Sequence, residues 1–292
     1  MIRKTEIKEL MLLSRGKVRD IYELEENLLI VTTDRVSAFD FVLNQTIPNK
    51  GIVLNKLSIH NFEKTKSIVE NHLLYSDFDM LPADLRKYEY LKDRFMVVKR
   101  TKPLPVECIV RGYITGSAWA EYLKTQTIGG MYVEPGLLES EKFAEPIFTP
   151  STKAEQGHDE NISIDEMKRL IGYERTEDVK HVSLKLYMAV AEMLYKCGII
   201  LADTKMEFGI KDQNLIFIDE AFTPDSSRFW FLNKYRKGEK QESLDKQFIR
   251  NYLLSTDWDR KSPPPDLPDE IVFKTAEIYK EIYKIVTNES LS

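Results

Sequence analysis

The densest concentration of chemically capable side chains lies at 201–219, where LADTKMEFG is followed by the polar turn 211–214 and then by LIFIDE. Apolar runs on either side of polar turn residues predict a hairpin. Period-two alternation places Asp203, Lys205 and Glu207 on one strand face, with Thr204, Met206 and Phe208 on the other. A loop of three or five residues sets Glu207 directly opposite Asp219. Facing carboxylates destabilise a hairpin unless a cation lies between them. Oxygen donors from two adjacent strands, with room left for phosphate oxygens and waters, describe a magnesium site. A solvated acidic sheet face with Lys205 bridging its neighbours fits the same spacing, since acidic strand faces are common.

A second group, SRGKVRDIY at 14–22, puts Arg15, Gly16, Lys17, Val18 and Arg19 where one strand turns into the next. A glycine turn that exposes backbone N–H groups between cations can lie over a triphosphate. The run is neither a Walker loop nor GxGxxG. Taken alone, an ordinary hairpin turn with surface basic residues is the commoner arrangement. Two arginine motifs follow: VRGYITGSAW (110–119) offers Arg111 and Ser117, and FTPDSSRFW (222–230) offers Asp225, Ser226, Ser227 and Arg228. Arginine with serine hydroxyls holds a phosphate monoester through planar, charge-assisted bonds. Salt bridging between lobes is the commoner use of either motif alone, but both together around a candidate metal face point to a site.

Two polar loops add further candidates. TDRVSAFD (33–40) concentrates Asp34, Arg35, Ser37 and Asp40, and PSTKAEQGHDENIS (150–163) carries Lys153, His158 and Asp159. Long polar loops in compact proteins are more often functional than idle. A lone loop histidine is more often solvated than catalytic, and His60, His72 and His181 form no metal-binding pair with it.

The elements that must position these groups change character along the chain. The first hundred residues read mostly as strands, at 17–23, 28–32 and 95–99, interrupted by a helix at 54–65. Pro103 and Pro105 mark an extended connector before a strand at 106–110, and we place a lobe boundary there, giving segments 1–105 and 106–292. Ser183 reads as the N-cap of a buried helix at 184–196 that Gly198 ends. A last helix follows Pro268, with Ile271, Thr275, Ile278, Ile282 and Val286 on one stripe.

Composition sets the class. The chain has 292 residues, 42% hydrophobic and 30% charged, which is a globular composition long enough for one large domain or two joined lobes. Forty-two Lys and Arg against 47 Asp and Glu, interspersed, leave a net charge of −5 and disfavour extended nucleic-acid binding. Cys108 and Cys197 are the only cysteines, without CxxC spacing, which suits a reducing cytosol and excludes a thiolate zinc site. No apolar run approaches the ~20 residues that span a bilayer, so neither a membrane nor export is expected.

Taken in order, GKVRD, TDRVSAFD, VRGYITGSAW, PSTKAEQGHDENIS, LADTKMEFG, FIDEAFTPDSSRFW and SLDKQFIRNYL resemble the signature segments of the SAICAR synthetase family. They run from Gly16 to Leu253, and the further region DWDRKSPPPDLPDE with its helix resembles the longer form of that family. The resemblance implies an α+β fold of two lobes, related to ATP-grasp and protein-kinase lobes, with a C-terminal helical extension from about 240. It implies a cytoplasmic ATP-dependent ligase of purine synthesis that joins L-aspartate to carboxyaminoimidazole ribonucleotide (CAIR), with ATP as co-substrate and Mg2+ as cofactor, as a monomer or homodimer.

Carried onto this chain, the resemblance assigns Arg15, Gly16, Lys17, Val18 and Arg19 to the ATP phosphates, and Lys99 and Arg100 to the hinge beside adenine. Glu207 and Asp219 become magnesium and ATP ligands. Arg111, Ser117, Asp225 and Arg228 fall to CAIR, with Lys246 and Arg250 as helpers. Asp203 and Lys205 take the imidazole and the reacting carboxylate, Asp203 also as a candidate base. Ser37, Asp40, Lys153, His158 and Asp159 are expected near L-aspartate. Gln247 departs from the short form, where an acidic residue is expected. A small-molecule kinase, which would need no aspartate, and a non-catalytic nucleotide-binding protein are the rival readings.

Overall fold

A computed structural model describes residues 1–153 and 160–291. Strands β1 (Leu12–Arg15), β2 (Arg19–Leu24), β3 (Asn27–Thr32), β4 (Arg35–Ala38) and β5 (Phe41–Thr46) precede helix α1 (Lys50–Thr65). Then β6 (Leu73–Tyr75), β7 (Phe95–Lys99) and the long β8 (Lys102–Tyr113) lead to α2 (Gly116–Thr125). The short β9 (Thr127–Ile128) and β10 (Met131–Tyr132) and then β11 (Lys142–Thr152) lead to α3 (Ile164–Ile171) and α4 (Tyr173–Lys196). Finally β12 (Ile199–Lys211), β13 (Asn214–Ile218) and β14 (Ser227–Phe231) are followed by α5 (Gln247–Leu254) and α6 (Asp269–Thr287).

Two large antiparallel sheets organise most of these strands, with β4–β5 and β9–β10 as separate two-stranded ribbons. The first has the order β1-β2-β3-β7-β6 and the second β11-β8-β12-β13, with β14 also pairing β12. Strand β7 ends at Lys99 and β8 begins at Lys102, so the sheets are joined through Arg100 and Thr101. Pro103 and Pro105 are extended, as expected, but they stand inside β8, near the end of the strand where a missing N–H costs least.

The packing follows the alternation. On the first sheet Tyr22, Leu29, Val31, Phe95 and Val97 face Ile7, Leu81, Leu85 and Leu91. The other faces of β3 and β7 present Ile30, Met96 and Val98 to α1 and to the core shared by the second sheet, α4 and α6. Helix α5 and the start of α6 cover the β4–β5 ribbon through Ile249, Leu253, Leu267 and Val272 against Val36 and Leu43. The C-terminal region thereby fixes the ribbon that carries Ser37 and Asp40.

Two expectations change. The helix expected at 184–196 extends from Tyr173 to Lys196, and Ser183 is a buried residue in its middle rather than its N-cap. Thr176 and Val179 continue the buried stripe into the first turns, and that packing carries the charged sequence YERTED into the helix. Nor is the helix buried all round, because Met188 and Tyr195 are exposed. Gly198, at φ 80°, does follow its C-terminus in the left-handed conformation that favours glycine.

Candidate active site

The hairpin that carries the acidic face turns through Asp212 and Gln213, both at positive φ (49° and 66°). A two-residue loop of that twist matches the twist of the flanking strands. It also shifts the register: Glu207 pairs with Ile218, so the expected direct opposition of Glu207 and Asp219 does not occur. Asp219 lies one residue beyond β13, at φ 67°. The two carboxylates still interact, because burial and then the Asp219 charge raise the Glu207 pKa. The carboxylate directly opposite Glu207 is Glu107 on β8, and both are buried. Lys205 answers this like-charge pair, bonding Glu107 and lying 3.8 Å from Glu207. Burial would lower the Lys205 ammonium, but Glu107 and Glu207 hold it well above its ordinary value. Lys153 bonds Glu207 from the opposite side. Glu107 is a site residue that sequence reasoning missed, although its alternation with Cys108 in VEC was available as a signal.

Two residues back along β12, Asp203 pairs with Arg111 on β8 and with Arg228 on β14. Three adjacent strands thus place arginine, aspartate and arginine side by side. Arg228 bonds Asp203 Oδ2, and Arg111 Nη1 stands 3.6 Å from the same oxygen. Thr149 accepts from Arg111 Nε at 3.1 Å and fixes its plane. Helix α2 starts beside this rung, with Gly116, Ser117 and Ala120 lining the same cleft. Its free N–H groups and dipole favour an anion there. Gly116 sits at φ 58°, and a Cβ would overlap the Arg228 guanidinium, so only glycine permits this approach.

The cleft encloses about 800 Å³ and holds together Lys17, Ser37, Asp40, Arg111, Ser117, Asp203, Lys205, Asp225, Arg228, Lys246 and Arg250, eleven of the expected residues. Asp225 is saturated from within: Tyr279 donates to Oδ1 at 2.6 Å, while Lys50 and Lys246 reach Oδ2 at 2.7 and 3.1 Å. Lys50 is fully buried, and burial pulls its ammonium down to about 8 against the opposing pull of Asp225. Lys50 and Tyr279 were not legible as neighbours of the site, since no local pattern links 50, 225 and 279.

On the first sheet, Arg19 reaches across to Asp219 (2.7 Å) and Glu220 (2.9 Å). Burial opposes its charge, but these carboxylates keep the guanidinium above its ordinary range. Asp219 is held below its ordinary range by Arg19, Lys205 and Lys153 although burial pushes the other way. Gly16 has an ordinary φ, and a Cβ would make only van der Waals contact there, so the fold itself does not require glycine.

The other residues expected at the nucleotide make contacts within the protein. Val18 is in the core, and Arg15 binds Asp20 and the Thr5 carbonyl. Lys99 and Arg100 pair with Glu70 and Glu23. Arg35 donates to the carbonyls of Gly16 (3.0 Å) and Lys17 (3.1 Å), backing the turn. Asp34 accepts from Gly51 N–H and Arg94, so the first half of TDRVSAFD is structural, while Ser37, Ala38, Phe39 and Asp40 of the second half line the cleft. His158 and Asp159 lie outside the described residues.

Fold and cleft together define a two-sheet α+β protein built to hold anionic ligands: seven cations and three carboxylates line the space. The family model described as SAICAR synthetase matches residues 12–265. A phosphoribosylaminoimidazole-succinocarboxamide synthase from Thermodesulfovibrio yellowstonii is 56% identical over 289 residues, 99% of each chain. One from Pelobacter propionicus is 51% identical over 98% of each chain. The solved SAICAR synthase of Saccharomyces cerevisiae, complexed with SAICAR, is similar at a TM-score of 0.91 and 45% identity, covering 100% of both chains. The chain belongs to the SAICAR synthetase family.

Proposed function

We propose that this chain is an ATP-dependent ligase that joins L-aspartate to CAIR, giving SAICAR, ADP and phosphate. The observation that carries the proposal is the spacing along β12. Asp203 with its two arginines, then Lys205, then Glu207 follow at two-residue intervals on one face, about 7 Å apart at each step. A ribonucleotide with its phosphate on Arg111, Arg228 and Ser117 would extend its imidazole carboxylate towards Lys205. That carboxylate would lie between the phosphate rung and the nucleotide side of the cleft.

A carboxylate is a poor acyl donor, because its leaving group would be oxide. Transfer of the ATP γ-phosphoryl forms an O–P bond on that carboxylate as the bond to ADP breaks. Such a transfer asks for positioning and positive charge rather than a protein nucleophile. Lys205 supplies charge at the reacting oxygens, and Lys17 and Arg19 supply it from the turn above. The aspartate amine then attacks the acyl carbon, a C–N bond forms, and phosphate departs with the former carboxylate oxygen. Two guanidiniums occupy Asp203, which makes it an orienting group. We assign the amine proton to Asp40, beside Ser37.

Glu207 and Asp219 suit magnesium. They offer oxygen donors ringed by cations, and among the described residues no third acidic or histidine ligand closes a protein cage. Magnesium commonly takes one or two carboxylates and completes its shell with phosphate oxygens and water. When bound there it would neutralise charge developing on the transferred phosphoryl.

Mass spectrometry of a reaction containing ATP, magnesium, CAIR and L-aspartate tests the proposal. Formation of the succinocarboxamide product together with ADP is expected. ATP consumption with CAIR alone, undiminished when aspartate is left out, would instead identify a kinase.

A further inference from the structure

Arg260 lies outside the seven signature segments, in the further region DWDRKSPPPDLPDE, and lines the same cleft as Ser37 and Asp40. Its place is set by its neighbours. Trp258 packs edge-on against Phe39 at 5.8 Å and Phe41 at 5.5 Å, the two residues flanking Asp40. Asp259 accepts from the backbone N–H groups of Lys261 (2.9 Å) and Ser262 (2.8 Å), and Arg260 itself adopts φ 59°. The segment is therefore pinned on the β4–β5 turn. Among the described residues the Arg260 guanidinium makes no ion pair or hydrogen bond. Most other cleft cations do have carboxylate partners: Lys17 has Asp40, Arg228 has Asp203, and Lys246 has Asp225.

We propose that Arg260 binds a carboxylate of L-aspartate and so helps select a dicarboxylic amino acid as the incoming amine. This inference rests on the ligase reading and names a ligand for one part of that site. The chemistry of the three groups fits the substrate. An arginine fork matches a carboxylate through two parallel charge-assisted bonds. Ser37 can donate to a second carboxylate, and Asp40 can accept from the ammonium. The cation arrives on the C-terminal region, so the part of the chain that buttresses the ribbon also completes the amino-acid end of the cleft.

The test compares wild type with Arg260→Gln and Arg260→Lys, measuring KM separately for L-aspartate, CAIR and ATP, and inhibition by succinate. Arg260→Gln is expected to raise KM for L-aspartate by ~10-fold or more, as loss of a hydrogen-bonded charge does. Succinate, which keeps both carboxylates and lacks the amine, should weaken by a similar factor. Arg260→Lys should recover part of the loss, and KM for CAIR and ATP should stay within about twofold of wild type. A rise in KM for CAIR with none for aspartate overturns the assignment in favour of the ribonucleotide. Unchanged constants make Arg260 a solvent-facing residue and also overturn it. If wild type forms no succinocarboxamide product, the ligase reading itself fails. Calorimetric titration of succinate into wild type and Arg260→Gln, which needs no turnover, then decides Arg260 alone: equal binding, or none to either, sinks the inference.

Discussion

Arg19 and Asp219 stand 200 positions apart in the chain and form an ion pair at 2.7 Å that ties the first sheet to the end of β13 in the second. With Lys153 on Glu207 it occupies both carboxylates that we assign to magnesium. Metal and nucleotide must therefore exchange these internal cations for external ones. Asp219→Asn or Glu207→Gln should lower magnesium-dependent turnover by ~10-fold or more while the fold persists, because a ligand charge is lost. Titrating magnesium against initial rate in both variants checks this. An unaltered magnesium dependence would move the metal off this hairpin.

Arg228 and Gly116 give a paired prediction about the phosphate end. Arg228→Lys keeps the charge and loses the planar fork, so CAIR affinity should fall by about 1.5–3 kcal/mol with ATP affinity little changed. Gly116→Ala should weaken CAIR binding in the same direction for a steric reason, since its Cβ displaces the Arg228 guanidinium. Equal losses for ATP and CAIR would mean that Arg228 supports the frame of the second sheet and does not grip a phosphate.

His72 gives a stability prediction with a sign. Its ring is fully buried against Phe62 at 5.2 Å, with Nε2 lacking a partner among the described residues, and burial drives its pKa down from 6.5 to about 3. A depressed pKa means that the unfolded chain binds the proton first. The contribution of neutral His72 is therefore complete above about pH 6.5 and declines towards pH 3 by roughly 1.4 kcal/mol per unit. Denaturant unfolding of wild type and His72→Leu at several pH values should show the difference between them shifting against wild type as the pH falls. Parallel curves would show that another group carries the acid sensitivity.

How much of this was legible beforehand follows from range. The strand at 95–99 and the face carrying Asp203, Lys205 and Glu207 were visible because alternation is local. The register of the hairpin was not, because Asp212 and Gln213 take left-handed φ values that neither residue type announces as glycine does. The rung joining Arg111, Asp203 and Arg228 was partly legible, as separate motifs without their adjacency. Lys50 and Tyr279 gain their places only when sheets and helices meet, so no spacing in the chain could single them out, whereas Glu107 had only its local alternation with Cys108 to mark it.

Lys205 carries the last prediction, because it stands where phosphoryl transfer would place charge and is held cationic by Glu107 and Glu207. With oxygen-18 in the CAIR carboxylate, one labelled oxygen should leave with inorganic phosphate, since the acyl C–O bond breaks when the aspartate amine attacks. Direct amide formation would send that label to water. Product formation with ATP consumed and label only in water would remove the phosphorylated intermediate and leave ATP another role. Lys205→Met should lower turnover by ~100-fold or more, the scale of losing a preorganised charge at a transition state. The residual activity should still deliver its label to phosphate, because the variant changes the barrier and not the bonds that break. If Lys205→Met instead raised only KM for L-aspartate, the lysine would belong to amino-acid binding, and the charge at the reacting oxygens would have to come from Lys17 and Arg19.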